Sequence, residues 1–457
     1  MALMEHEVST GVTLLFTAIL VGLIACLALE EKIHAKKSVI AVVFALLCLF
    51  LGEALELMPT GEMSWGGHTV NLPVFIPSVD WGVISIILGA SLFVDIVSKS
   101  GLFTWIAIRL TRVSGGDPLK LLWFYGLMTV VFSAVLNNVT AMIIVGSLTA
   151  VSLDKLGRND KMLGFLLTEG LLTNIGGLLT LISSVPNIIV GTAAQISFVS
   201  FLTQSAPFVV VATVMTILLG ARIFGIKKLG NEAERAEARD LVAGFDENDG
   251  IESRGFFWFG TIMTVLFVIV IATASSIPVI RDLGMGYVAL LFAGIMLVRF
   301  KHVADRFYQA IDWDLLAFFA ALFVTINVME HARVLDLIGD GLKVIIGDGG
   351  RVGQGSLLVS AAAFSSVTDN IPLAAMLAKI LGSMPAGEVS PGLWWAVIFG
   401  ANLGGNLTPI GSASTLVAVT IMHKHGLTMT FGGFIKAAIP FALMHIGLAL
   451  AYVLVFL

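Results

Sequence analysis

Long apolar runs separated by short polar breaks fill this chain from end to end. Thr13 to Leu29, Ser38 to Leu57, Phe256 to Ala274 and Phe431 to Leu457 reach or approach the roughly 20 apolar residues that carry a helix across a bilayer. Set against the polar breaks, the pattern predicts spanning helices near 10–29, 38–57, 80–99, 163–195, 203–225, 256–275, 284–300, 312–330, 392–422 and 431–456. Two further apolar stretches, 119–157 and 353–384, have polar centres, Leu136-Asn137-Asn138-Val139-Thr140 and Thr368-Asp369-Asn370-Ile371-Pro372. A continuous lipid-facing helix through either centre is costly, so each is expected to be a re-entrant helical hairpin.

Composition sharpens this reading. Of 457 residues 57% are hydrophobic and 12% charged, about half the charged share of a soluble domain. The expected fold is an all-α polytopic membrane protein. The net charge of −5 comes with no basic cluster, which argues against a nucleic-acid partner. Cys26 and Cys48 both lie inside apolar runs, where neither a disulfide nor a thiolate metal site is expected. Glu5, His6 and Glu7 replace the basic start of a signal peptide, and the apolar run that follows is too long for one, so the first helix is read as retained.

Lysine and arginine placement orients the chain. Lys32, Lys36, Lys37, Lys99, Arg109, Arg112, Lys120, Lys155, Arg158, Lys161, Arg222, Lys227, Lys228, Arg299, Lys301, Arg306 and Lys424 gather on one side, which is taken as cytoplasmic. The opposite connections at 58–79 and 196–202 carry none, whereas the loop expected at 331–352 carries Arg333, Lys343 and Arg351 against the trend. The hydrophilic segment 226–255 reads as a cytoplasmic linker between halves 1–225 and 256–457.

Those halves match each other. Val79-Asp80-Trp81 returns as Ile311-Asp312-Trp313 at an offset of 232 (312 − 80), and the same offset lays Phe132-Ser133-x-Val135-x-x-Asn138 on Phe364-Ser365-x-Val367-x-x-Asn370. Asn174-Ile-Gly176-Gly177-x-x-Thr180-x-x-x-Ser184 returns as Asn402-Leu-Gly404-Gly405-x-x-Thr408-x-x-x-Ser412 at an offset of 228 (402 − 174). An odd number of crossings between the copies predicts two inverted-topology repeats, an arrangement that recurs in secondary transporters.

Each half then supplies a hairpin tip and a long helix, 163–195 or 392–422, broken at Gly-Gly. Broken helices are expected to expose carbonyls and N–H groups to an ion. The candidate ligands are Asn137, Asn138, Thr140, Asn174, Thr180, Ser183, Ser184 and Asn187 in the first half, and Asp369, Asn370, Asn402, Thr408, Ser412, Ser414 and Thr415 in the second. They form oxygen-rich cages of the kind Na⁺ uses, centred on the regions of Asn138 and Asn370. Lone Ser, Thr and Asn residues in membrane helices commonly serve as packing glue, but matching in both repeats favours function here. Intramembrane carboxylates are costly, which makes Asp369, Glu169 and Asp95 the candidates for proton coupling. His445 reads as a satisfied polar contact. Zinc, nucleophile-elbow and phosphate-loop spacings are missing from the sequence, so neither an enzyme nor a cofactor beyond Na⁺ is expected.

Leu136-Asn-Asn-Val-Thr140, Asn174-Ile-Gly-Gly177 with Pro186-Asn187, Asp369-Asn-Ile-Pro372 and Gly404-Gly-Asn-Leu-Thr408 resemble the ion transporter superfamily over nearly the whole chain. The resemblance is to the branch of arsenite permeases, NhaD-type Na⁺/H⁺ antiporters and the melanosomal P protein, with dicarboxylate transporters more distant. It implies a homodimer in which a transport domain moves like an elevator against a scaffold, and it puts Asn138 and Asn370 beside paired sodium or substrate sites. Asn137 and Ser184 stand where the NhaD pattern has Asp. The expectation is a secondary active transporter of the bacterial inner membrane, Na⁺-linked and of the Na⁺/H⁺ antiport type. The alternative is Na⁺- or H⁺-coupled transport of a small anion, an arsenite-like oxyanion or a di- or tricarboxylate.

Overall fold

The computed structural model describes residues 8–58, 62–65, 68–347, 349–385 and 389–457, so Glu5, His6 and Glu7 lie outside the described residues. Among these, nine helices are long and apolar enough to cross a membrane: Thr10–Ala28, Lys37–Ala54, Trp81–Ser98, Pro118–Val135, Phe198–Ile223, Arg254–Ser276, Pro278–Arg299, Trp313–His331 and Phe431–Phe456. The spans expected at 163–195 and 392–422 are not in that set. Each is two short helices parted by a turn, Met162–Gly176 with Val185–Ala193 and Pro391–Gly404 with Ala413–Lys424. Pro118–Val135 pairs with Asn138–Lys155 as the first hairpin, and Arg351–Ser365 with Asn370–Ser383 as the second. Taking hairpins as re-entrant and each broken pair as one crossing returns the ten crossings of the hydropathy pattern.

Local chemistry sets the ends of these elements. Asp80 caps Trp81–Ser98 by accepting from the Val83 amide at 3.0 Å, and Asp312 caps Trp313–His331 by accepting from that of Leu315 at 2.9 Å. The repeated Asp-Trp pair is thus a pair of helix starts.

Two helices escaped the hydropathy pattern because they are amphipathic. Leu102–Ser114 buries Phe103, Ala107 and Thr111 while Arg109 and Arg112 reach Glu247. Val334–Ile346 occupies most of the loop expected at 331–352 and buries Val334, Leu335, Leu342 and Ile346. Lys343 therefore belongs to a helix that follows Trp313–His331 across a turn at Arg333, the counterpart of Leu102–Ser114 beyond Trp81–Ser98. The series long helix, amphipathic helix, hairpin, broken helix, long helix occurs twice, over Trp81–Ile223 and Trp313–Phe456.

Other connections also hold structure. The linker contains the helix Glu232–Ala243 and docks through the Leu229 amide, which donates to Asp117 Oδ2 at 3.1 Å. Within 58–79, Glu62–Trp65 pairs antiparallel with His68–Asn71, a small departure from an all-α chain.

Packing sorts the helices into two groups. Lys37–Ala54 lies on Trp313–His331 and Trp81–Ser98 on Pro278–Arg299, forming one group. The hairpins, the broken helices, Phe198–Ile223 and Phe431–Phe456 form the other. Inside the second group the repeats interlock, since the first hairpin's arm Asn138–Lys155 packs on Ala413–Lys424 and the second hairpin's arm Asn370–Ser383 packs on Val185–Ala193.

The Gly-Gly breaks begin with close contact. A Cβ on Gly176 would stand 2.6 Å from the Val130 carbonyl oxygen, and one on the matching Gly404 would overlap that of Ala362. In both cases the obstacle is backbone of the same repeat's hairpin, which cannot rotate aside. Gly176→Ala and Gly404→Ala should each destabilise the protein by about 1–3 kcal/mol through overpacking. Gly294→Ala, with open space around it, should be neutral or slightly stabilising. Thermal unfolding in detergent separates the two classes, and equal midpoints would contradict the packing described.

Candidate functional site

Each hairpin tip is a helix restart. Asn137 Oδ1 accepts from the Thr140 amide at 2.8 Å, and Asp369 Oδ1 accepts from that of Ile371 at 3.0 Å. Both candidates therefore cap the returning arm, with at least one oxygen committed to the backbone. The tips are fastened to their own broken helices by the same two bonds in each repeat. Ser133 Oγ donates to the Thr173 carbonyl at 2.7 Å and Thr180 Oγ1 to that of Ala134 at 2.6 Å. Ser365 Oγ donates to the Ala401 carbonyl and Thr408 Oγ1 to that of Ser366, both at 2.5 Å.

The breaks are more fully satisfied than expected. At the first, the Gly177 carbonyl accepts from Ser183 Oγ and Asn187 Nδ2, both at 2.6 Å, and the Thr180 carbonyl accepts from the same two groups. At the second, Thr415 Oγ1 donates to the carbonyls of Pro409 and Ser412. The expected exposure of break carbonyls to an ion is thereby corrected at these positions. With no water in a membrane core, the chain supplies its own donors.

Ser184 and Ser412 stand at the starts of Val185–Ala193 and Ala413–Lys424 but do not cap them with their side chains. Each crosses to the other repeat. Ser184 Oγ donates to Asn402 Oδ1 at 2.7 Å, and Ser412 Oγ donates to Asn174 Oδ1 at 2.9 Å. Asn402 Nδ2 returns a bond to Asn187 Oδ1 at 2.9 Å, and Ser414 Oγ lies 2.8 Å from Thr173 Oγ1. The repeat-matched amides and hydroxyls thus meet in two buried, neutral crossings: Ser184 and Asn187 gather on Asn402, and Ser412 and Ser414 form a second network on Asn174.

Asn406 completes it, taking a bond from Asn174 Nδ2 at 2.8 Å and approaching His445 Nδ1 at 3.1 Å, while His445 Nε2 lies 2.7 Å from Thr216 Oγ1. Asn406 and Thr173 escaped the sequence reading because their repeat partners are Leu178 and Ala401, so a search for matched polar residues passes over them.

The accessible part of the site is the pair of tips. Asn137 is exposed, and Asn138, Thr140, Asp369 and Asn370 are half-buried. The tips differ in engagement. Asn138 accepts from Ser133 Oγ at 2.6 Å and donates to Asn174 at 3.3 Å, whereas the Asn370 amide makes no hydrogen bond among the described residues. Beside it, Asp369 Oδ2 lies 2.6 Å from Lys37 Nζ, with side chains 15% and 31% exposed. Lys37, at the start of Lys37–Ala54, entered the sequence reading only as an orienting charge.

The other two carboxylates lie elsewhere. Glu169 is fully buried in Met162–Gly176, where Oε1 accepts from Thr149 Oγ1 at 2.7 Å and Oε2 has no partner among the described residues. Asp95 pairs with Lys99 at 2.6 Å near the end of Trp81–Ser98 and makes no bond to the tips. The buried crossings take in Asn138, Asn174, Ser184, Asn187, Asn402, Ser412 and Ser414 and leave out Asn137, Thr140, Asn370 and Asp95.

Comparison with known proteins agrees with this architecture. Residues 24–400 match the citrate transporter family model. An uncharacterised transporter of Mycobacterium tuberculosis is 30% identical over 383 residues, covering 82% of this chain and 86% of that protein. The human P protein is 24% identical over 534 residues, covering 99% of this chain and 61% of its own length. Among solved structures, the YdaH transporter of Alcanivorax borkumensis aligns with a TM-score of 0.60 at 16% identity, covering 92% of this chain and 98% of its own. MtrF of Neisseria gonorrhoeae, from a class of antimetabolite efflux pumps, aligns with a TM-score of 0.56 at 15% identity, covering 93% and 95%.

The buried network makes its own prediction. Asn402→Ala removes the acceptor of Ser184 and the donor to Asn187, at about 1–3 kcal/mol for each group left unpaired. Thr140→Ala removes a half-buried hydroxyl that makes no hydrogen bond among the described residues and should leave the unfolding midpoint unchanged. A midpoint for Asn402→Ala equal to that of the parent would show that the crossing bonds do not hold the repeats together.

Proposed function

The chain belongs to the citrate transporter family and is an integral membrane transporter of the plasma membrane; from that premise we propose that it is a secondary active carrier, Na⁺-linked and of the Na⁺/H⁺ antiport type. The observation that carries this reading is the second hairpin tip. There a carboxylate is held by a cation of the protein's own, Lys37 Nζ at 2.6 Å from Asp369 Oδ2, beside the Asn370 amide, which makes no hydrogen bond among the described residues. A carboxylate that accepts an ammonium, with a neutral amide next to it in the chain, offers oxygen donors of the kind that suit Na⁺. The buried Asn, Ser and Thr network would then position the tips and not form the ligand shell itself. Glu169, with one oxygen unpartnered in a dry core, is the second candidate for a proton-exchanging group.

In this reading the hairpins and broken helices travel in an elevator-like step against the group containing Lys37–Ala54 and Trp313–His331. A homodimer is the expected assembly, in which the second copy would brace the static group.

One observation favours a second reading, the coupled uptake of a small oxyanion or a di- or tricarboxylate. The crossing network is neutral and rich in amide and hydroxyl donors, and the matching family model carries the description citrate transporter. Lys37 would then be a charge available to a carboxylate.

Purified protein in liposomes loaded with a pH-sensitive dye distinguishes the two. Addition of external Na⁺ should alkalinise the lumen, since each inward Na⁺ is exchanged for outward H⁺, and Asp369→Asn should abolish the response. Glu169→Gln should slow it at least about tenfold, the range in which loss of a proton-transfer group is felt. No Na⁺-dependent signal at any pH, together with Na⁺- or H⁺-driven uptake of labelled citrate, would replace antiport with the anion reading.

A further inference from the structure

Two ion pairs join the second hairpin to the static group, and their charges run in opposite senses. At the tip, Lys37 of the static group holds Asp369 of the hairpin at 2.6 Å. Further along the arm Asn370–Ser383, Lys379 of the hairpin meets Glu330 of the static group at 3.0 Å, with side chains 45% and 38% exposed. The two static helices run side by side in the same direction. Ser38 donates to Asp314 where both begin, and near their far ends a Cβ on Gly52 would meet Val328 at 3.3 Å. The static surface therefore presents a cation at one end of the hairpin's track and an anion at the other. Asp369 and Lys379 are separated by roughly 15 Å of helix, given a rise of about 1.5 Å per residue.

This arrangement fixes the consequences of sliding. A shift of the hairpin toward the Glu330 end takes Asp369 off Lys37 and carries it toward a second carboxylate. A shift the other way carries Lys379 toward Lys37. Like charges brought within a few ångströms repel, so both moves are disfavoured while Asp369 is bare. A cation or proton on Asp369 removes the first penalty and leaves the second. The surroundings add negative charge at both ends, since Glu30 lies 3.6 Å from Lys37 and Asp80 lines the cavity of about 460 Å³ that contains Glu330, Lys379 and Asn327.

We propose that Lys37 and Glu330 are coupling residues: Lys37 stands in for the transported cation at Asp369, and Glu330 turns back an Asp369 that moves without one. Resting on the cation-linked reading above, this assigns to two static residues the rule that forbids an empty, charged hairpin from crossing. Both act on transport through Asp369 and are positioning residues.

The test follows hairpin movement directly. With Cys26 and Cys48 replaced by Ala, Thr368→Cys places a thiol at the half-buried tip, and a membrane-impermeant maleimide added from the outer side reports excursions toward the Glu330 end. Labelling of the otherwise unmodified protein in Na⁺-free buffer should be slow and should accelerate with Na⁺. Glu330→Gln should raise the Na⁺-free rate at least about tenfold, whereas Glu330→Asp should not. Lys379→Gln breaks the same ion pair but leaves the Glu330 charge, and should label as slowly as the parent. Lys37→Gln, which removes the competing ammonium, should lower the Na⁺ concentration for half-maximal acceleration about tenfold, and Lys37→Arg should restore it.

An unchanged Na⁺-free rate in Glu330→Gln overturns the proposal, as does equal acceleration in Lys379→Gln, which would mean that the pair merely pins the hairpin. If Glu330→Gln labels fast while Na⁺ has no effect on the parent, the gate stands and Na⁺ as its release is refuted. If Na⁺ accelerates the parent but neither variant differs from it, cation-linked movement stands and the coupling residues fall.

Discussion

A membrane interior offers no water to a backbone carbonyl, and that single constraint shapes the centre of this protein. Two helices are interrupted at Gly-Gly and two hairpins reverse beside them, so four places in the core would present bare polar backbone. Ser133 and Thr180 in one repeat, and Ser365 and Thr408 in the other, close the gap between tip and break with the same pair of bonds. Ser183, Asn187 and Thr415 bond the carbonyls of Gly177, Thr180, Pro409 and Ser412 at the turns. Ser184 and Ser412 then bond across to Asn402 and Asn174, so the satisfaction of one repeat depends on the presence of the other.

The Asn, Ser and Thr crossings that result are neutral, while Glu169 in the same group of helices keeps one oxygen without a partner among the described residues. The twofold correspondence fails at particular residues. Asn138 is bonded to its broken helix while Asn370 is not, and Asp369 takes a lysine from a different packing group where Asn137 has no such partner. Glu169 stands opposite Val397, and Asn406 opposite Leu178. A symmetric frame gives two equivalent positions, and single substitutions on that frame give them different surroundings. This is consistent with a fold shared with YdaH and MtrF at 16% and 15% identity, where the frame persists while most side chains differ.

The second hairpin also differs in its tethering. Its arm is bonded at both ends to Lys37–Ala54 and Trp313–His331 by ion pairs, one half-buried and one in an open cleft. Surface ion pairs contribute little to stability, so their effect is on register more than on folding energy.

Much of this was legible in the sequence by itself. Hydropathy located the long helices, because a bilayer demands about 20 apolar residues in a row and nothing else in the chain competes with that signal. The internal match found the tips and breaks, because backbone that must be interrupted at the same place twice needs the same Gly, Asn, Ser and Thr at the same spacing. Leu102–Ser114 and Val334–Ile346 were invisible to a hydropathy window, since an amphipathic helix averages its two faces away. Only the tertiary structure decided that the matched polar residues satisfy one another across the repeats, that Asp95 belongs to Lys99, and that Lys37 and Asp369, remote in sequence, form one ion pair. Contacts of that kind depend on where helices pass in space, and neither periodicity nor spacing along the chain encodes it.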